Sequence, residues 1–126
     1  MRRSGTRVEA LQWFGLFAGG AAWFVHLVFG FAMTQADCSV GGSSWGASRG
    51  SYQLPLTLGT LAVAVLAELA AFAAFREVRR ADADAPGPRG RLRFFAVAAL
   101  VANVLFATAI VLGGLGVFAG ATCRQS

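Results

Sequence analysis

The chain has 126 residues, of which 56% are hydrophobic and only 13% are charged. This composition is too apolar for an ordinary soluble domain of the same size. Three long runs carry almost no charge: residues 10–36 contain only the ionisable His26, residues 50–75 only Glu68, and residues 94–123 none. Each run exceeds the roughly 20 residues that cross a ~30 Å hydrocarbon layer. Too few residues remain for a separate catalytic domain or a dinucleotide-binding fold.

The three runs predict an all-α membrane protein that forms one integral membrane domain, residues 1–126. We expect transmembrane helices at about residues 11–33, 54–75 and 94–118. An outer loop of residues 34–53 and a cytoplasmic loop of residues 76–93 connect them.

The first predicted helix carries a stripe of small residues that includes one histidine. Five residues recur every three or four positions and share one face: Gly15, Gly19, Ala22, His26 and Gly30. Small residues let another helix backbone approach closely in a membrane. We therefore expect a helix interface here, with His26 facing inward and Trp23 flanking it.

The outer loop contains Trp45 and Tyr52, residue types that settle at the membrane–water boundary. An anchoring role is expected for both, with docking of Trp45 onto a partner as the alternative. Cys38 follows the outer end of the first predicted helix, and Cys123 follows the outer end of the last. Both cysteines are therefore expected on the outer, oxidising side of the membrane. A Cys38–Cys123 disulfide is the predicted pairing. A thiol pair for copper or redox exchange is the alternative, although the chain has no Cys-x-x-Cys motif.

The second and third predicted helices also have one small and polar face each. In the second helix this face contains Thr57, Thr60, Ala64, Glu68 and Ala71. In the third helix it contains Ala96, Ala99, Asn103, Ala107, Ile110 and Gly114. All three helices thus line one interior.

The depths of the polar residues predict two contacts between helices. At 1.5 Å per residue, Glu68 and Asn103 both lie roughly 5 Å to the cytoplasmic side of the midplane, and His26 and Thr60 both lie roughly 5–7 Å to the outer side. We predict hydrogen bonds within each pair. Glu68 is either a protonated contact or a proton-relay carboxylate. His26 is either a neutral contact or a ligand to haem or metal, in which case a second ligand must come from elsewhere because the chain has one histidine.

The arginines predict the orientation in the membrane. All eleven basic residues are arginine, and nine of them lie before the first helix or between the second and third. The loop between the second and third helices holds Arg76, Arg79, Arg80, Arg89, Arg91 and Arg93. Cytoplasmic segments of membrane proteins carry this excess of positive charge. We expect a multi-pass protein of the bacterial inner membrane with its N-terminus inside and its C-terminus outside, and no nucleic-acid partner.

Four parts of the chain carry a resemblance to a known family. They are GAAWFVH at residues 20–26 with Cys38 twelve residues later, RFFA at 93–96, NVLFATAI at 103–110, and Cys123 near the end. The chain resembles small uncharacterised bacterial inner-membrane proteins that accompany haem–copper cytochrome oxidase clusters and their assembly factors. The resemblance implies an accessory or assembly role at a respiratory complex. It marks Trp23, His26, Cys38, Asn103 and Cys123.

No motif predicts a reaction, because the chain has no phosphate-cradling glycine loop, paired catalytic carboxylates or nucleophile–base arrangement. We expect no enzyme activity and no cofactor, with haem or metal at His26 as the alternative. The expected function is binding to another integral membrane protein, in contact with membrane lipids. The other hypothesis is an oligomeric proton or small-solute pathway through Glu68 and His26. Self-association through Gly15 and Gly19 is left open.

Overall fold

The computed structural model describes residues 2–38, 49–79 and 88–119. This part of the chain forms three α-helices: α1 (Arg2–Asp37), α2 (Arg49–Val78) and α3 (Pro88–Ala119). Each helix packs against the other two. All three are long and apolar enough to cross a membrane, so the prediction of an all-α protein with three candidate membrane spans is confirmed. The orientation of the termini stays a prediction from the arginine distribution.

The helices extend beyond the apolar runs from which they were predicted. A hydropathy pattern marks only the segment that prefers lipid, whereas a helix continues as long as its backbone hydrogen bonds continue. The backbone amide of Cys38 still donates a hydrogen bond to the Thr34 carbonyl at 3.0 Å, and the backbone amide of Arg79 donates to the Phe75 carbonyl at 2.8 Å. Helix α2 begins at Arg49, six residues before Pro55. The predicted loops, residues 34–53 and 76–93, are therefore partly helical.

The interior of the bundle consists mainly of alanine. The buried apolar residues include Ala64, Ala67, Ala71, Ala96 and Ala99, and Ile110 is the largest of them. Large apolar side chains point outward instead, as in Phe94, which is 69% exposed. This distribution suits a lipid environment, in which large apolar side chains gain little from burial and small residues allow close helix packing.

Glycines bring the helices into backbone contact. An ideal Cβ atom on Gly15 would lie 2.8 Å from the backbone nitrogen of Ala71 and 3.0 Å from its Cα. A Cβ atom on Gly19 would overlap Oδ1 of Asn103. At Gly15 only glycine fits without movement of α2, and at Gly19 a larger residue would displace the Asn103 side chain. Gly15 and Gly19 are thus used within the bundle, which leaves neither available as a contact between copies of the chain.

Candidate functional site: two buried polar clusters

The first buried polar cluster connects α1 to α2 and consists of His26, Gln53 and Thr57; we call it the outer polar cluster, after the predicted orientation. Nε2 of His26 lies 3.1 Å from the Thr57 hydroxyl and 3.5 Å from the Gln53 amide nitrogen. The Gln53 amide also donates to the Thr57 hydroxyl at 3.3 Å. His26 is 6% exposed and Gln53 is fully buried. A neutral His26 fits this arrangement, because an unprotonated Nε2 can accept a hydrogen bond from the Thr57 hydroxyl.

The predicted hydrogen bond between His26 and Thr60 is wrong by one helical turn. The Thr60 hydroxyl donates to the carbonyls of Leu56 at 2.7 Å and Thr57 at 3.2 Å in its own helix. Thr57 and Thr60 are three positions apart and share a face, so the sequence pattern did not distinguish between them. Gln53 is a member of the cluster that the sequence did not predict, because it lies in the segment expected to form the outer loop.

The backbone of α3 closes the outer polar cluster. An ideal Cβ atom on Gly113 would lie 3.2 Å from Cε1 of His26, and one on Gly114 would lie 2.8 Å from Cγ2 of Thr57. The imidazole is therefore enclosed between helices, and its Nε2 is already occupied. These residues do not fit a haem, which needs a free ring nitrogen facing an open space. Among the described residues, no three His, Cys, Asp or Glu side chains gather as a metal site would require.

The second cluster, the inner polar cluster, consists of Glu68, Asn103 and the Gly15 carbonyl. Asn103 is 1% exposed, and its amide nitrogen donates to the Gly15 carbonyl at 2.6 Å. The Glu68 carboxyl group lies beside the Asn103 side chain, and the predicted hydrogen bond between the two side chains stays a prediction. Oε2 of Glu68 and Oδ1 of Asn103 are buried and have no hydrogen-bond partner among the described residues. A protonated Glu68 suits this arrangement better than a carboxylate, because its O–H group can donate where a carboxylate can only accept.

An apolar layer separates the two clusters. Ala22, Ala64 and Ile110 form a buried apolar core between them, with Trp23 packed against it. Thr57 and Glu68 are eleven positions apart on α2, which corresponds to about 16 Å along the helix axis. Proton transfer needs hydrogen-bonded steps of about 3 Å. Within one chain, the described residues of the alanine-rich layer offer no such steps, so a transport path would have to run between copies.

The structure places the remaining predicted residues as follows. The small residues of the α1 stripe are buried on one face together with His26. Trp23 is half-buried, and its ring lies 5.6 Å from that of Phe106. The side chains of Arg76, Arg79 and Arg91 are exposed, and that of Arg93 is half-buried. Tyr52 is half-buried, and its hydroxyl lacks a partner among the described residues.

Several predicted features lie outside the described residues. Cys38 is exposed just after α1, but Cys123 is not described. The Cys38–Cys123 disulfide therefore stays a prediction. Trp45 and Arg80 are not described either, and nor is the side chain of Arg89.

Comparisons with protein-family models, with curated proteins and with solved structures found no match to the chain. The resemblance carried by the segments around His26 and Asn103 therefore remains an expectation from the sequence.

Proposed function

We propose that the chain is a small non-catalytic protein of the bacterial inner membrane that binds another integral membrane protein as an accessory or assembly subunit. The observation that carries this proposal is an open apolar groove between α1 and α2. The two buried polar clusters support it, because their contacts lie within the chain and hold the three helices together. They leave the outward faces to bind lipid or protein.

The groove has a volume of about 310 Å³ and is lined by small or β-branched residues of two helices. From α1 come Ala18, Ala21, Ala22 and Val25, and from α2 come Gly59, Thr60 and Val63. The polar atom of Thr60 is directed to carbonyls of its own helix. The lining is therefore apolar in effect.

A transmembrane helix of a partner fits this groove. On α1 the pairs Ala18–Ala22 and Ala21–Val25 are four positions apart, and on α2 Gly59 and Val63 have the same spacing. Ala18 and Ala22 are both small, and small residues at this spacing let a third backbone approach closely, which is how helices associate in lipid. A Cβ atom on Gly59 would have nothing within 4 Å. The groove is thus open where a side chain of the partner would enter.

The resemblance to proteins that accompany haem–copper oxidases supports a respiratory complex as the partner. The site geometry supports only the coarser part of the proposal, a membrane-embedded partner helix. The second candidate, a proton or solute path, has no comparable support because of the apolar layer around Ala64.

Purification from the native membrane in mild detergent, followed by mass spectrometry, tests the proposal. A Gly59→Leu variant fills the groove with a side chain that the isolated bundle has room for. Gly116→Leu is the matched control, because a Cβ atom on Gly116 also has nothing within 4 Å and the residue lies on α3. We expect a stoichiometric integral membrane partner with the unmodified chain and with Gly116→Leu. We expect its loss with Gly59→Leu.

Two results would overturn the proposal. Recovery of the chain alone, or only with further copies of itself, would remove the accessory-subunit role. Equal retention of the partner by both leucine variants would show that the groove at Gly59 is not the binding surface.

A further inference from the structure

A cleft with three arginines lies at the end of the bundle where α1 begins and α2 ends. It consists of two adjoining cavities of about 200 Å³ and 510 Å³, which share Ala73 and Glu77 in their lining. The smaller cavity is also lined by Arg7 and Leu11 of α1, and the larger one by Arg76 and Arg79 of α2. We call this feature the arginine cleft.

The cleft carries an excess of positive charge. Among the described lining residues, Arg7, Arg76 and Arg79 accompany one carboxylate, that of Glu77, and none of the three arginines forms an ion pair with another described residue. Within the described part of the chain, their guanidinium groups keep their donors available. Arginine donors in this arrangement suit phosphate oxygens, which accept two parallel hydrogen bonds from one guanidinium group.

The depth and the walls of the cleft select the kind of phosphate ligand. The candidate membrane span of α1 begins at Thr6, and that of α2 ends at Val78. The cleft therefore lies at the level of the lipid headgroups. Leu11 and Ala73 supply apolar wall. Leu69, one turn deeper than Ala73 on the same side of α2, is 59% exposed and extends this apolar surface toward the membrane centre.

We propose that the arginine cleft binds the phosphate headgroup of an anionic phospholipid, with the acyl chains along the exposed surface of α2. A free phosphate ion shares the headgroup chemistry but makes no use of the apolar walls. Basic pockets between transmembrane helices on the cytoplasmic side bind anionic lipids in this way. Glu77 weakens the interaction, because its carboxylate repels the phosphate.

Native mass spectrometry of the full chain in a neutral detergent tests this inference, with phosphatidylglycerol, phosphatidylcholine or inorganic phosphate added separately. We expect phosphatidylglycerol to be retained in preference to phosphatidylcholine, and inorganic phosphate not to compete at equal concentration. One basic residue near the membrane surface contributes about fivefold to the affinity for anionic lipid. Arg76→Gln combined with Arg79→Gln should therefore weaken binding of phosphatidylglycerol about thirtyfold.

Two further variants separate the cleft from general surface charge. Arg91→Gln removes an exposed arginine of α3 that is not among the described residues lining the cleft, and should leave the affinity within twofold. Glu77→Gln removes the repulsive carboxylate and should raise the affinity, a result that misfolding cannot produce.

Three results would overturn the inference. Equal losses with Arg91→Gln and with the cleft variants would mean that the charge acts over the whole surface. Equal binding of phosphatidylcholine would exclude recognition of the anionic headgroup. Full competition by inorganic phosphate would mean that the cleft binds phosphate without the lipid.

Discussion

Substitution of glycine by alanine tests the packing of α1 on α2. An ideal Cβ atom on Gly15 would lie 2.8 Å from the nitrogen of Ala71 and 3.0 Å from its Cα and Cβ atoms. Unstrained contacts between such atoms are about 3.5–4.0 Å. The two helices must therefore separate by roughly 1 Å to accept the new methyl group.

The expected effect of Gly15→Ala is the balance of three contributions. Alanine is favoured over glycine in a helix interior by about 1 kcal/mol. The steric clash costs about 1–3 kcal/mol. Separation of the helices also weakens the hydrogen bond from Asn103 to the Gly15 carbonyl, which is worth about 0.6 kcal/mol in a membrane protein.

Gly59→Ala is the matched control, because nothing lies within 4 Å of its ideal Cβ atom. It gains the helix preference and has no clash. The helix preference of alanine over glycine therefore cancels when the stabilities of the two variants are compared. We expect Gly15→Ala to be less stable than Gly59→Ala by about 1.5–3.5 kcal/mol.

Titration of the purified protein in mixed micelles with sodium dodecyl sulfate, followed by circular dichroism, measures this difference. Gly15→Ala should unfold at a lower fraction of the denaturing detergent than Gly59→Ala. Coincident unfolding curves for the two variants would refute the backbone contact between α1 and α2.

Three further predictions concern the polar residues and the cysteines. Thr57→Val should destabilise the protein by about 1–3 kcal/mol, because it leaves buried polar groups of the outer polar cluster unpaired. Thr60→Val should be nearly neutral in the same titration. A larger loss of stability with Thr60→Val than with Thr57→Val would make Thr60 the partner of His26 instead. Glu68→Gln should preserve folding and partner binding, and loss of a transport activity in reconstituted vesicles with the fold intact would assign Glu68 a proton path instead. Cys38 and Cys123 should resist a thiol reagent until they are reduced, and labelling of both without reduction would exclude the disulfide.

The small-residue faces could be predicted from sequence because their physical cause is local. Glycine and alanine every three or four positions produce one smooth helix face, and such a face serves close packing in lipid. The burial of Gly15 and Gly19 follows from this rule alone. The contact between Glu68 and Asn103 was also accessible, because each is the only strongly polar side chain at its depth on its helix.

The partner of His26 could not be predicted in the same way. Two threonines, Thr57 and Thr60, share a face of α2, and the choice between them depends on a vertical offset of one turn. The apolar run also gave too late a start for α2, which placed Gln53 in a loop. Helix ends and axial offsets depend on contacts with the neighbouring helices, and a single-helix pattern does not contain them.

The groove and the arginine cleft lie far enough apart to be tested separately. Gly59 in the groove and Ala73 in the cleft are fourteen positions apart on α2, which is about 21 Å along the axis. A partner helix and a lipid headgroup can therefore bind at the same time. Substitutions at sites this far apart usually act independently. Gly59→Leu should thus abolish binding of the partner without changing retention of phosphatidylglycerol, and a loss of both would mean that the two surfaces depend on each other through the packing of α2.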